Sequence, residues 1–428
     1  MKGILSVLAA TVAISILVPL VLANAYYKDE KEVEIPVLHA DTPDSTQLSE
    51  IVAGFEEKEK APATEAVPDG NESEDEFIFG YDEDDSFALS PLFQVLDKLE
   101  KEPAEEEPED TREPELPEKT PDITISVSGS AAQSDDERNL KVYLHSSKKY
   151  VTLSMTEYLY GVVAAEMPSY FNAEALKAQA VASRTYTLHK MLNTNFHYSG
   201  HGKDGAHICT NSGHCQAYIS REEAEKKWGK AYADQIFNAV CPAVDATKGQ
   251  VMLYDGTPIF AAYHSMSYKY TDDVENVWKN GDYPYLKSVY SPEDDGFGGL
   301  VDTVTFKAST FKKYIKAQSN KAEFSDDPSD WITGRTLNRS GRVETLTAGG
   351  VEFTGREIQS VFGLRSSNFT VSYDEESEKF VFEVKGRGHG IGMSQYGAHL
   401  LAEEGYTYDE ILNHYYTDIT IGSYNFKR

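Results

Sequence analysis

Ser154-Met155-Thr156-Glu157-Tyr158-Leu159-Tyr160-Gly161-Val162-Val163-Ala164-Ala165-Glu166-Met167-Pro168 is the stretch from which the rest of the chain is read. Leu159, Val162, Val163 and Glu166 recur at helical spacing and share one face. Ser154 or Thr156 can cap the start. Pro168 stops the helix, because the residue before a proline avoids the helical region. Asn172 then opens a second helix, Ala173 to Leu192, rich in alanine and leucine. Upstream, Val142 to Leu153 has strand character. Downstream, Val251–Tyr254, the turn pair Asp255-Gly256 and Pro258 to Tyr263 predict a hairpin. Leu300–Phe306 and Phe380–Lys385 read as further strands, and Tyr408 to Tyr416 as a helix. Helices and strands do not alternate regularly, so the expected class is α+β, a single mixed domain over 123–428.

The rest of the 428 residues differs in kind. The formal charge is −30. Residues 28–122 hold 8 basic and 32 acidic side chains, a net of −24, whereas 123–428 hold 31 and 38, a net of −7. That balance argues against a nucleic-acid partner, which needs a basic face. Segment 26–122 sets acidic runs such as Asp82-Glu83-Asp84-Asp85 among prolines and serines, the signature of a disordered linker. Two apolar islands, Phe77-Ile78-Phe79 and Leu92–Leu99, offer partner-docking motifs as an alternative. Ile4 to Ala25 carries no charge over 22 residues, after Lys2 and before Asp29, Glu30, Glu32 and Glu34. This predicts residues 1–25 as a membrane anchor with the N-terminus inside and the body extracytoplasmic. A signal sequence cleaved near Ala23-Asn24-Ala25 is the competing reading. Three cysteines exclude a disulfide-built scaffold.

Glu166 stands on the apolar stripe of its helix and in the last turn, where the helix dipole is negative. Both disfavour the carboxylate and raise its pKa. A carboxyl still protonated near neutral pH suits a general acid. By spacing alone, a solvated glutamate at a helix end fits as well.

The strings around it add more. Tyr158 to Pro168, then Glu174-Ala175-Leu176-Lys177-Ala178-Gln179-Ala180-Val181-Ala182-Ser183-Arg184-Thr185-Tyr186, resemble the stage II sporulation protein D family. So do Tyr263-His264-Ser265 with Val277-Trp278 and Pro284-Tyr285-Leu286. So does Gly388-His389-Gly390-Ile391-Gly392-Met393-Ser394-Gln395-Tyr396-Gly397-Ala398. These blocks keep the family's order over roughly 140–425. The resemblance implies a lytic transglycosylase acting on peptidoglycan glycan strands, preferring those stripped of peptides by a partner amidase, with Glu166 as its catalytic acid and base. It also implies substrate or Glu166 orientation by Arg184, with a surface ion pair as the alternative, and a site role for His264, with a core histidine as the alternative. One departure stands out. Where many members carry Ser-Gly-Gly-x-Thr, this chain has Ser267-Tyr268-Lys269-Tyr270-Thr271, so a cleft shaped by those glycines would be altered.

Gly386 to Gly397 is glycine-rich, so a sugar chain can approach its backbone, while His389, Ser394, Gln395 and Tyr396 offer hydrogen bonds; a purely structural turn is the alternative. It lacks the last glycine of a dinucleotide-binding loop. His201, His207, Cys209, His214 and Cys215 fall within 15 residues. Two thiolates and two imidazoles complete a zinc tetrahedron, here Cys209, Cys215 and His214 with His201 or His207. The resemblance adds that some clostridial relatives bind zinc in this stretch through two cysteines and histidine; a disulfide or free thiols is the alternative. Cys241 reads as a lone buried thiol.

Three functions compete: the lytic transglycosylase, a non-catalytic wall-binding module that recruits or enhances an amidase, and a zinc peptidase. The last lacks a His-Glu-x-x-His motif. In the first, one carboxyl suffices because the C6 hydroxyl of the muramic sugar is an internal nucleophile. A hydrolase needs a second carboxylate, and Glu157 and Glu174 keep that option open.

Overall fold

The computed structural model describes residues 139–192, 201, 205–278, 283–294 and 300–424. The stretch read as one strand from Val142 is a hairpin of β1 (Asn139–Leu144) and β2 (Lys149–Ser154), paired antiparallel from Asn139↔Ser154 to Leu144↔Lys149. The polar run His145-Ser146-Ser147-Lys148 makes the turn, with Lys148 at φ 54°. Helix α1 (Met155–Glu166) follows at once. Ser154 caps it, its side chain accepting from the Glu157 amide while Glu157 reaches back to the Ser154 amide. It ends where Pro168 requires. Helix α2 (Ala173–Leu192) starts at Asn172, whose side chain accepts from the Glu174 amide. Thirteen of its residues are buried, and its small side chains let other elements pack on most of its circumference.

Strand β3 (Ile208–Cys209) lies parallel to β1, Tyr143 facing Cys209. Helices α3 (Arg221–Trp228) and α4 (Lys230–Ala246) lead into β4 (Gln250–Tyr254). Asp255 and Gly256 both have positive φ, 49° and 74°, as a two-residue hairpin turn demands. The returning strand β5 is only Thr257–Pro258, shorter than the expected Pro258 to Tyr263. The chain then leaves the sheet to form β6 (Tyr263–His264) elsewhere.

From β7 (Val301–Lys307) the chain builds a second hydrophobic core. Helix α5 (Ala308–Gln318), strands β8 (Ile332–Leu337), β9 (Val343–Ala348) and β10 (Val351–Thr354), helix α6 (Gly355–Phe362), and strands β11 (Phe369–Asp374) and β12 (Lys379–Lys385) make two three-stranded sheets with order β10-β9-β8 and β11-β12-β7. They enclose Phe311, Ile315, Trp331, Phe362, Phe369, Phe380 and Phe382. Phe311 stacks on Phe380 at 4.0 Å between centroids. The lobe closes where the Gly386 amide donates to the Leu300 carbonyl at 2.9 Å. The chain then rejoins the first core through β13 (Met393–Ser394), which lies parallel to β6, helices α7 (Gln395–Glu403) and α8 (Tyr408–Tyr415), and β14 (Thr420–Ser423), which pairs with β4.

The lobe is fastened to the first core beside the glycine-rich loop. Arg342 and Asp272 are both buried, with their nearest charged atoms 4.0 Å apart. Asn338 donates to both Asp272 oxygens at 3.0 and 3.1 Å, and Arg342 to the Gly388 carbonyl at 3.3 Å. Gly390, at φ 84°, makes this close approach possible: a Cβ there would stand 2.5 Å from the guanidinium.

The class is therefore mixed helix and strand. Among the described residues no helix is long and apolar enough to cross a membrane. The expected anchor 1–25 and acidic linker 26–122 lie outside the described residues. Phe311→Ala removes the centre of the second core and should cost about 3–5 kcal/mol in denaturant unfolding.

Candidate active site

Glu166 occupies the last turn of α1, half-buried. Gly161, one and a half turns earlier, has no room for a side chain. A Cβ there would lie 2.3 Å from the Tyr218 ring and 2.7 Å from the Ile219 carbonyl. The segment 216–219 thus crosses α1 at contact distance and brings a backbone amide to the glutamate: Ala217 N–H donates to Glu166 Oε1 at 2.6 Å. Gln395, first residue of α7, reaches Oε2 with its amide at 3.5 Å and Gln179 Oε1 at 3.4 Å. The Tyr263 hydroxyl lies beside Glu166 and helps hold its pKa down, while its hydrogen is donated to Gln216 Oε1 at 2.9 Å. Gln216 in turn donates to the hydroxyls of Tyr158 and Thr187. Loss of solvation outweighs these donors and pushes the carboxyl from its ordinary 4.5 up to about 7.

The neighbouring carboxylates are committed elsewhere. Glu157 closes the capping box with Ser154. Glu174 pairs with Lys177 at 2.5 Å and accepts from the Tyr408 amide at 2.9 Å.

The other expected residues divide. Arg184 is 1% exposed, and its guanidinium meets the carbonyls of Ala180, Gln250 and Val244 at 3.3–3.5 Å. It braces the end of α4 against β4. His264 is buried, with Nε2 2.7 Å from Ser267 Oγ and Nδ1 3.3 Å from the Ile391 carbonyl. Burial holds its pKa well below the usual range. His389 is half-buried; its Nδ1 accepts from the Ile391 amide at 3.0 Å, and burial with Arg356 and Arg342 nearby pushes its pKa down to about 3. Both imidazoles are neutral near pH 7. His389 also lies 5.5 Å from His264 and 5.1 Å from Trp278 between ring centroids. Ser394 is fully buried as the cap of α7, accepting from the Gly397 amide. Tyr396 is buried edge-on against Phe171 at 4.8 Å. Burial removes His264, Ser394 and Tyr396 from a sugar's reach and makes them framework. Of the six expected binding residues, Gln395 is the one that the structure brings to Glu166.

Two members of the site escaped sequence reasoning. Tyr263 was visible only as the neighbour of His264. Ala217 contributes a backbone amide, which leaves no side-chain signal.

Where the family's glycines were missed, the backbone still takes a glycine-like path: Lys269 adopts φ 59°. The Glu293 carbonyl accepts its amide at 2.8 Å and its own carbonyl accepts from Ser291 at 2.8 Å, which hold the residue in a conformation costing about 1–3 kcal/mol.

A second cluster lies along the chain from Ala217. The donor atoms of His201, Cys209, His214 and Cys215 all fall within 4.8 Å of one another. His201 Nε2 is 3.1 Å from Cys215 Sγ, and His214 Nδ1 is 3.3 and 3.4 Å from the sulfurs of Cys215 and Cys209. His207 is turned to other work, its Nδ1 accepting from the Lys141 amide at 2.9 Å. The His201 Nδ1 is set against the Ala206 carbonyl at 3.0 Å, the arrangement that orients a metal-binding imidazole. Two thiols and two imidazoles so spaced fit one zinc with bonds of about 2.0–2.3 Å. The three cysteines are free of disulfides, and Cys241 is partly exposed.

Comparison with known proteins matches residues 143–254 to a family model described as SpoIID, stage II sporulation protein. The stage II sporulation protein D of Bacillus amyloliquefaciens is 34% identical over 283 residues, 66% of this chain and 78% of the relative. That of Bacillus subtilis (strain 168) is 34% identical over 278 residues, 65% and 77% respectively. The amidase enhancer of Bacillus subtilis (strain 168) is 27% identical over 314 residues, 62% of this chain and 40% of the relative.

The raised pKa of Glu166 has a definite sign in stability. Between pH 4.5 and 7 the folded protein binds the proton that the unfolded chain releases. The contribution is fully present below 4.5 and is lost as pH rises through 7. Glu166→Gln should therefore gain stability relative to wild type as pH rises across that window, measured by denaturant unfolding from pH 4 to 9; parallel curves would refute the shift.

Proposed function

The chain belongs to the stage II sporulation protein D family, with a sporulation cell-wall role, and on that premise we propose that it is a lytic transglycosylase of peptidoglycan glycan strands. The observation that carries this reading is a solitary carboxyl, protonated up to about pH 7 and surrounded by neutral donors. Glu166 protonates the glycosidic oxygen between N-acetylmuramic acid and N-acetylglucosamine. As its carboxylate it then takes the proton of the C6 hydroxyl of the muramic sugar. That oxygen bonds to C1 as the bond from C1 to the protonated glycosidic oxygen breaks, so the N-acetylglucosamine leaves as an alcohol and the muramic sugar keeps a 1,6-anhydro end. The Ala217 amide and the Gln395 side chain stabilise the carboxylate formed between the two transfers. Since Glu157 and Glu174 are engaged elsewhere, the intramolecular hydroxyl is the better-supported nucleophile than a water activated by a second carboxylate.

We further propose that His201, Cys209, His214 and Cys215 hold one zinc ion. The ion would supply a closed structural crosslink, with no open position for chemistry. Cys215 stands two residues before Ala217, so the crosslink would fix the segment whose amide grips Glu166. The charge-free run Ile4–Ala25 supports anchoring in the membrane with the body outside the cytoplasm. Similarity to an amidase enhancer supports a second reading, a glycan-binding module that recruits an amidase.

Peptide-free glycan strands incubated with the protein should yield anhydro-ended fragments by mass spectrometry. Glu166→Gln should bind strands yet cleave about 10²–10⁴-fold more slowly, the usual contribution of a general acid–base. Undiminished cleavage by that variant, or reducing-end products, refutes the mechanism; binding without any cleavage by wild type favours the recruiting module. For the metal, elemental analysis should find one zinc per chain, lost in Cys209→Ser and retained in His207→Ala. Unchanged zinc in Cys209→Ser excludes this site.

A further inference from the structure

Glu293 is a fully buried carboxyl that takes no part in the chemistry above. Its Oε1 accepts from the Ser267 amide at 3.1 Å and from the Ser394 hydroxyl. Its Oε2 lies toward Gly397, where a Cβ would stand 2.9 Å from it and 2.1 Å from the Tyr415 hydroxyl. Tyr415 and Ser291 share a hydrogen bond of 2.7 Å on the same side. Burial raises the carboxyl's pKa, and the polar groups that face it are neutral: Ser267, Ser291, Ser394 and Tyr415.

These contacts join parts of the chain that are far apart in sequence. Ser267 carries the hydroxyl that meets His264. Ser394 is the cap of α7, and the residue after it, Gln395, places its amide on Glu166 and Gln179. A carboxyl enclosed without a cation costs stability compared with an apolar side chain, so its place here calls for another reason than stability.

We propose that Glu293 is a positioning residue for Glu166: by holding the Ser394 cap it fixes the first turn of α7, so that Gln395 stays on the catalytic carboxyl. The proposal rests on the reading of Glu166 as the acid and base.

The test reads Glu166 directly. In the full protein, ¹³C-labelled at glutamate side chains and assigned by the signal missing in Glu166→Gln, the Glu166 carboxyl is titrated by NMR. Glu293→Leu should move its midpoint upward by roughly half a unit, the scale of one lost donor to the charged form. Glu293→Gln keeps an oxygen for Ser267 and Ser394 and should restore the wild-type midpoint. Should the leucine variant fail to fold, Ser394→Ala replaces it and should show the same upward move. An unmoved midpoint in a folded Glu293→Leu or Ser394→Ala protein overturns the proposal, as does an equal shift in Glu293→Gln and Glu293→Leu. In strand cleavage, kcat should fall in Glu293→Leu with KM unchanged. If wild type cleaves nothing, the proposed function fails, while the titration still decides the role of Glu293.

Discussion

The site depends on an approach of two backbones. Because residue 161 is a glycine, the segment 216–219 lies directly on α1, and an amide from it reaches the carboxyl at the helix end. That amide favours the ionised glutamate while the desolvation of the same enclosure favours the neutral one, and desolvation is the larger. The balance leaves a group close to half-protonated at neutral pH, able to give a proton and take one within a single cycle. A salt bridge would have abolished that poise by fixing the charge.

Around this contact the framework is polar yet charge-poor. Gln216, Gln179, Tyr158, Thr187, Ser183 and Tyr263 exchange hydrogen bonds beneath Glu166. Full charges are kept a step away, in Arg184 against three carbonyls and in Arg342 with Asp272 where the lobe meets the glycine-rich loop. Buried amides and hydroxyls with partners hold geometry at less desolvation cost than ions.

The helices that build the site were legible because their signals are local: Ser154 with Glu157, Pro168 and Asn172 punctuate α1 and α2. The Asp255-Gly256 turn was legible for the same reason. The turn after Leu144 was not, since Lys148 takes positive φ without a glycine or asparagine to announce it. Leu300–Phe306 and Phe380–Lys385 could be read as strands, but their mutual pairing, Lys379 with Lys307 through Lys385 with Val301, leaves no trace in local pattern. The second core thus left no sign of its own in the sequence. In the site, Glu166 was legible through its stripe. Arg184, His264, Ser394 and Tyr396 share motifs with it, and a motif does not separate residues that touch substrate from those that hold the motif's own fold. Lys269 shows the reverse: the lost glycines suggested a reshaped cleft, whereas neighbouring amides and carbonyls keep the backbone on a left-handed path.

The junction at Leu300 and Gly386 bears on how the first core assembles. β6 and β13 pair across about 130 residues of chain, and the lobe accounts for 86 of the steps between them. Once the lobe's ends are joined, the effective loop between Tyr263 and Met393 shrinks to about 44 residues, and its closure becomes cheaper by about 1 kcal/mol from the logarithmic dependence on loop length. The long insertion thus acts as a clasp that presents two distant strands of the first core to each other.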